Sequence, residues 1–118
     1  MRVLVTSNYR TLSQQAAQTV AEAVRLKPDL VLGLPTGHTP LGMYEELVRQ
    51  HREKDLDFSR VKAFNLDEYL GFSQEDPGSY TAYMRHRFFD HGNAFWDPGY
   101  YCEYPGIYRH TYPYEYCQ

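Results

Sequence analysis

The segment Leu30-Val31-Leu32-Gly33-Leu34-Pro35 is an apolar run that stops at Thr36-Gly37-His38-Thr39 and gives way to Pro40. A run without polar alternation suits a strand buried on both faces, the pattern of a parallel sheet. Pro40 suits the first turn of a helix with Thr39 as its cap. Leu41, Tyr44, Leu47 and Val48 then recur at helical spacing, with Glu45 and Arg49 four apart on the wet side. A strand that ends in a glycine turn and opens a helix confines the chain to an α/β layer.

The flanking sequence repeats this alternation. Val3 to Val5 form a short apolar run suited to a first buried strand. Thr11 and Gln14 have capping-box spacing, and Leu12, Ala16, Val20 and Val24 recur every four residues. That helix should stop near Lys27, because Pro28 disfavours helical geometry in the residue before it. Val61 to Leu66 predicts a third strand running into Asp67. Asp76-Pro77-Gly78-Ser79 predicts a turn, followed by a helix with Tyr80, Tyr83, Met84 and Phe88 on one face. The β-α-β-α-β order over residues 1–91 predicts an α/β fold. The expected architecture is the N-terminal part of a doubly wound, Rossmann-like parallel sheet with helices on both faces. Residues 92–118 lack either period and hold seven of the twelve tyrosines, three of the seven prolines and both cysteines. They read as an irregular tail, either an aromatic-rich loop or the product of a shifted reading frame in a truncated gene.

With 118 residues the chain is one domain at most. A formal charge of -3 and a pI near 5.9 argue against a nucleic-acid partner, which calls for a clustered basic face. No apolar run reaches the length of a membrane span, and MRVLVTSNYR has no secretory core, so a cytoplasmic location is expected. Cys102 and Cys117 are then expected to be reduced thiols, too few and unpatterned for a metal site.

Two sets of residues point to chemistry. The Thr36-Gly37-His38-Thr39 turn would present backbone N–H groups at a helix N-terminus, where a phosphate is the natural guest. Gly37 lets a ligand approach, and the threonines add hydroxyls. No lysine follows Gly37 and no G-x-G-x-x-G pattern is present, which disfavours nucleotide cofactors. The plainer alternative is a tight turn whose threonine caps the helix. Asp67 and Glu68 follow the third apolar run, which places them on the same rim of the sheet. One carboxylate there could remove a proton beside a carbonyl while the other anchors the loop. An ordinary helix cap is the competing reading. His86 and His91 are five apart and share no helical face, His51 reads as part of a solvated helix end, and Tyr80, Tyr83 and Phe88 read as core.

GLPTGHTPLGMYEEL (33–47), FNLDEYLGF (64–72) and SYTAYMRHRFFDH (79–91) together closely resemble glucosamine-6-phosphate deaminase, and the likeness runs through residues 1–91. The related 6-phosphogluconolactonases carry a loop more like S-G-G-S-T-P and an acidic motif like D-E-R, so Pro35-Thr36-Gly37 and Asp67-Glu68-Tyr69 resemble the deaminase side. The resemblance implies conversion of an amino-sugar phosphate, glucosamine 6-phosphate, with water to fructose 6-phosphate and ammonia, a step of amino-sugar catabolism with no metal or organic cofactor. It implies Asp67 as the base that moves a proton between C2 and C1. It also implies Thr36, Gly37, His38 and Thr39 as the cradle of the substrate, with Glu68 in support, and closed oligomers for full-length members. The family's ring-opening histidine, in a G-x-D-G-H loop, and its basic phosphate clamp have no counterpart after Gly92. His110 lacks the surrounding glycines. The expectation is a polypeptide that is inactive on its own and prone to associate. The alternatives are a lactonase-like sugar-phosphate hydrolase on the same fold and a non-catalytic sugar-phosphate-binding fragment.

Overall fold

A computed structural model of the chain describes residues 1–73 and 75–90. The 92–118 segment, with Cys102, Cys117 and His110, and also His91, lies outside the described residues. The elements run α1 (Tyr9–Leu26), β1 (Val31–Leu34), α2 (Leu41–Lys54), β2 (Lys62–Asn65) and α3 (Tyr80–Met84), which continues as a π-helical turn, Arg85–Phe89. Strands β1 and β2 pair in parallel, with Val31 opposite Lys62 and Leu34 opposite Asn65. The central strand–helix–strand unit is as the apolar runs predict.

The predicted first strand is not formed. Val3, Leu4 and Val5 are 69%, 49% and 91% exposed and pair with no strand. Apolar β-branched residues favour a strand only when a neighbour and a packed face accept them, and among the described residues the sheet has two strands. The core joins Ala17, Ala21 and Val24 of α1, Tyr44, Leu47 and Val48 of α2, Leu34, Ala63, and Leu56, Phe58, Val61, Met84, Phe88 and Phe89. Val31 and Gly33 point out on the other side of β1 and are exposed.

Helix α1 buries a stripe that meets the expected one at Val24, with Val20 packed beside it, but is shifted by one residue over its first turns. Ser13, Ala17, Ala21 and Val24 face inwards, while Leu12 is 45% exposed. The reason is close approach. A Cβ on Gly42 of α2 would lie 2.2 Å from Ser13 Oγ and 2.9 Å from its Cβ, so the seam requires small residues on both helices. The cap of α1 is Asn8, whose Oδ1 accepts the Thr11 N–H at 2.8 Å, rather than Thr11 itself. Thr39 does not cap α2: Pro40 holds that position, without a side-chain capping bond. The Tyr9 hydroxyl accepts the Gly42 N–H at 3.0 Å and so takes over one of the helix's unpaired donors. Arg49 pairs with Glu46 and Glu53 rather than Glu45. His51 is half-buried, with Nδ1 2.7 Å from the Leu56 carbonyl oxygen.

The predicted turn forms as expected, with Gly78 N–H on Asp76 Oδ1 and Ser79 N–H on the Asp76 carbonyl, both at 2.9 Å. Ser79 then caps α3 through the Ala82 N–H at 3.0 Å. The wider π turn places the adjacent Phe88 and Phe89 both in the core. Phe88 is core as expected, Tyr83 only borders the core, and Tyr80 is half-exposed at the rim.

Candidate active site

The parallel register brings the two predicted sets of residues together. Leu34 and Asn65 are partners, and the Leu66 N–H extends the ladder to the Leu34 carbonyl at 3.3 Å. Thr36 and Asp67 each follow two residues later, so both leave the sheet from one end. Neighbouring strands lie about 4.8 Å apart, which makes the loop and the carboxylate neighbours on that rim.

Gly37 adopts φ +101, a conformation that side-chain-bearing residues rarely take, and a Cβ there would meet nothing within 4 Å. Its role is therefore conformational and not a matter of space. The N–H groups of Thr36, Gly37, His38 and Thr39 donate to no acceptor among the described residues. The carbonyls of the same loop are all the better held. Tyr44 Oη donates to the Pro35 oxygen and Tyr83 Oη to the Gly37 oxygen, while Tyr9 Oη lies 3.0 and 2.9 Å from the His38 and Thr39 oxygens. Burial pushes the Tyr44 hydroxyl above the ordinary phenol range, with the nearby Tyr83 adding to it, so it stays protonated as a donor. Burial raises Tyr83 too, against the opposing charge of Arg87.

Asp67 and Glu68 part company. The Glu68 carboxylate is saturated: Oε1 accepts the Tyr69 and Tyr80 N–H groups at 3.0 and 2.7 Å, and Oε2 accepts the Thr81 N–H and hydroxyl at 3.0 and 3.1 Å. It clasps the start of α3 to the end of β2. Asp67 is exposed and makes no hydrogen bond or ion pair among the described residues. Of the pair, only Asp67 is chemically available. Beside it, Tyr69 and Tyr80 form an aromatic wall with ring centres 4.7 Å apart. A hydrogen bond donated to Tyr69, then burial and the charges of Tyr69 and Asp67, raise the Tyr80 hydroxyl, while a hydrogen bond with Thr36 opposes them. His38 is exposed in the loop.

The chain is 55% identical over 93 residues to the glucosamine-6-phosphate deaminase of Halothermothrix orenii, and 50% identical over 93 residues to that of Clostridium botulinum. Over those 93 residues the chain is similar to curated glucosamine-6-phosphate deaminases. The match covers 79% of this chain but 39% and 38% of those relatives, so the chain spans about two-fifths of their length. The structure of a monomeric glucosamine-6-phosphate deaminase superposes with a TM-score of 0.78 at 46% identity, covering 83% of this chain and 40% of that one. A candidate 6-phosphogluconolactonase from Neisseria gonorrhoeae matches at TM-score 0.64 and 23% identity, over 95% of this chain and 49% of that one, which shows a shared fold. No family model matches the chain.

The tyrosines at 9, 44, 80 and 83 are the site-forming residues that sequence reading misses. Three of them, Tyr44, Tyr80 and Tyr83, sit at helical spacing and look apolar, and the hydroxyl partner of Tyr83 lies 46 residues away. Among the described residues, no helix is long and apolar enough to cross a membrane, and no three His, Cys, Asp or Glu side chains gather as metal ligands.

Proposed function

We propose that this polypeptide supplies the substrate cradle and the enolising base of a glucosamine-6-phosphate deaminase, acting in the cytoplasm on an amino-sugar phosphate. The observation that carries the reading is an uncommitted Asp67 carboxylate on the same sheet rim as a loop with four undonated N–H groups. Thr36, Gly37, His38 and Thr39 would receive the phosphorylated sugar, since free N–H groups at a helix N-terminus favour an anion. Asp67 would take the C2 proton of the opened sugar and return it to C1, which converts the 2-amino aldose into a C2 ketimine that water hydrolyses to fructose 6-phosphate and ammonia. Glu68 would serve by holding α3 and not by touching the sugar, because its lone pairs are already in use.

Ring opening and phosphate clamping are assigned to parts of the family that this chain does not match. The test therefore uses a chimera in which residues 1–90 replace the matching segment of the Halothermothrix orenii relative. Formation of fructose 6-phosphate and ammonia is expected, with a loss of about 10²–10⁴-fold on Asp67→Asn, the usual worth of a positioned base. Hydrolysis of 6-phosphogluconolactone in place of deamination would overturn the reading.

A further inference from the structure

Three tyrosines from three helices hold the outside of the cradle loop. Tyr44 of α2 donates to the Pro35 carbonyl and Tyr83 of α3 to the Gly37 carbonyl. The Tyr9 hydroxyl at the start of α1 has one hydrogen, shared between the His38 and Thr39 carbonyls at 3.0 and 2.9 Å. In a planar trans peptide the carbonyl of one residue and the N–H of the next point in opposite directions. Fixing the carbonyls of 35, 37 and 38 therefore fixes the N–H groups of Thr36, His38 and Thr39 and turns them away from the tyrosines. Those same N–H groups donate to nothing among the described residues.

We propose that Tyr9, Tyr44 and Tyr83 are positioning residues, which set the N–H groups of Thr36, His38 and Thr39 in the direction that receives the phosphoryl oxygens of the substrate. The inference rests on the cradle reading above. It gives the loop what an exposed glycine turn otherwise lacks, a binding geometry organised before the ligand arrives. Binding then does not have to bear the cost of ordering the loop. Each tyrosine is also rooted elsewhere. The Tyr44 ring is fully buried, with its centre 5.1 Å from that of Phe88, Tyr83 packs on the core, and Tyr9 Oη accepts the Gly42 N–H.

The experiment titrates the full 118-residue chain, labelled with ¹⁵N, with inorganic phosphate and follows backbone amide signals. Wild type, Tyr83→Phe and Tyr9→Phe are compared, with thermal unfolding recorded for each. In the wild type, phosphate is expected to shift the amides of residues 36–39. In Tyr83→Phe, the His38 amide is expected to move before any phosphate is added. Affinity should then fall about fivefold, the worth of one ordinary hydrogen bond, at an unchanged midpoint. If phosphate binds the wild type and both variants alike, the positioning role is wrong while the cradle stands. If phosphate leaves the wild-type loop amides untouched, the cradle reading fails and takes the inference with it. Should Tyr83→Phe lower the unfolding midpoint, Tyr9→Phe decides: its half-exposed ring leaves the core intact, and unchanged affinity there overturns the proposal.

Discussion

At the scale of single residues, the contrast between Asp67 and Glu68 is the most informative feature. The two are adjacent and chemically alike, yet one carboxylate accepts four donors and the other accepts none among the described residues. A strand end produces that contrast, because successive side chains leave in opposite directions. Glu68→Ala should leave the Tyr80 and Thr81 N–H groups without their acceptor and destabilise the fold by about 0.5–2 kcal/mol, as for a lost helix cap. Urea unfolding measures this, and Glu68→Gln should recover only part of it, since its one carbonyl oxygen cannot serve both pairs of donors. A wild-type midpoint for Glu68→Ala would show that the clasp contributes nothing. The acidic pair could be placed on the rim from sequence, but the division of labour could not. It depends on where residues 80 and 81 return, a contact across twelve or thirteen positions with no local signal.

At the scale of elements, β1, α2 and β2 were readable because short apolar runs meet glycine and proline punctuation there. Helix α1 was readable as a helix but only partly in its facing, which holds at Val20 and Val24 and slips by one residue before them. Leu12, Ala16 and Val20 advertise a stripe by hydropathy, whereas the seam against α2 is built on Ser13, Ala17 and Ala21, selected for size. Hydropathy registers what leaves water, and close approach of two backbones is invisible to it. Gly42 carries that approach. Gly42→Ala should cost about 1–3 kcal/mol through overpacking, and the new methyl would also crowd Tyr9 Oη, 3.2 Å from the added Cβ. A thermal shift together with perturbed His38 and Thr39 amides is the expected outcome. A shift confined to α1 would separate helix packing from the cradle. The caps were misplaced for a similar reason: the donor at Gly42 is met by a hydroxyl 33 residues earlier in the chain.

At the scale of the molecule, the chain holds a strand–helix–strand unit with its helical cover and one rim of chemistry. Val3, Val5, Leu26, Val31, Leu66 and Leu70 are exposed, and the chain spans about two-fifths of the curated relatives it matches. Isolated two-stranded sheets are marginal in water, so most of the stability falls to the α1–α2 seam and the aromatic core around Tyr44, Phe58 and Phe88. The family likeness rests on three motifs, and two of them are the loop and the strand end that the register unites. The central claim is that Asp67 moves the C2 proton of an amino-sugar phosphate held by residues 36–39. It is tested most directly by following the C2 proton of glucosamine 6-phosphate in deuterated water by NMR, in the presence of the chimera and its Asp67→Asn variant. The expected result is solvent exchange at C2 that Asp67→Asn reduces at least about a hundredfold; exchange at an undiminished rate in the variant would contradict it.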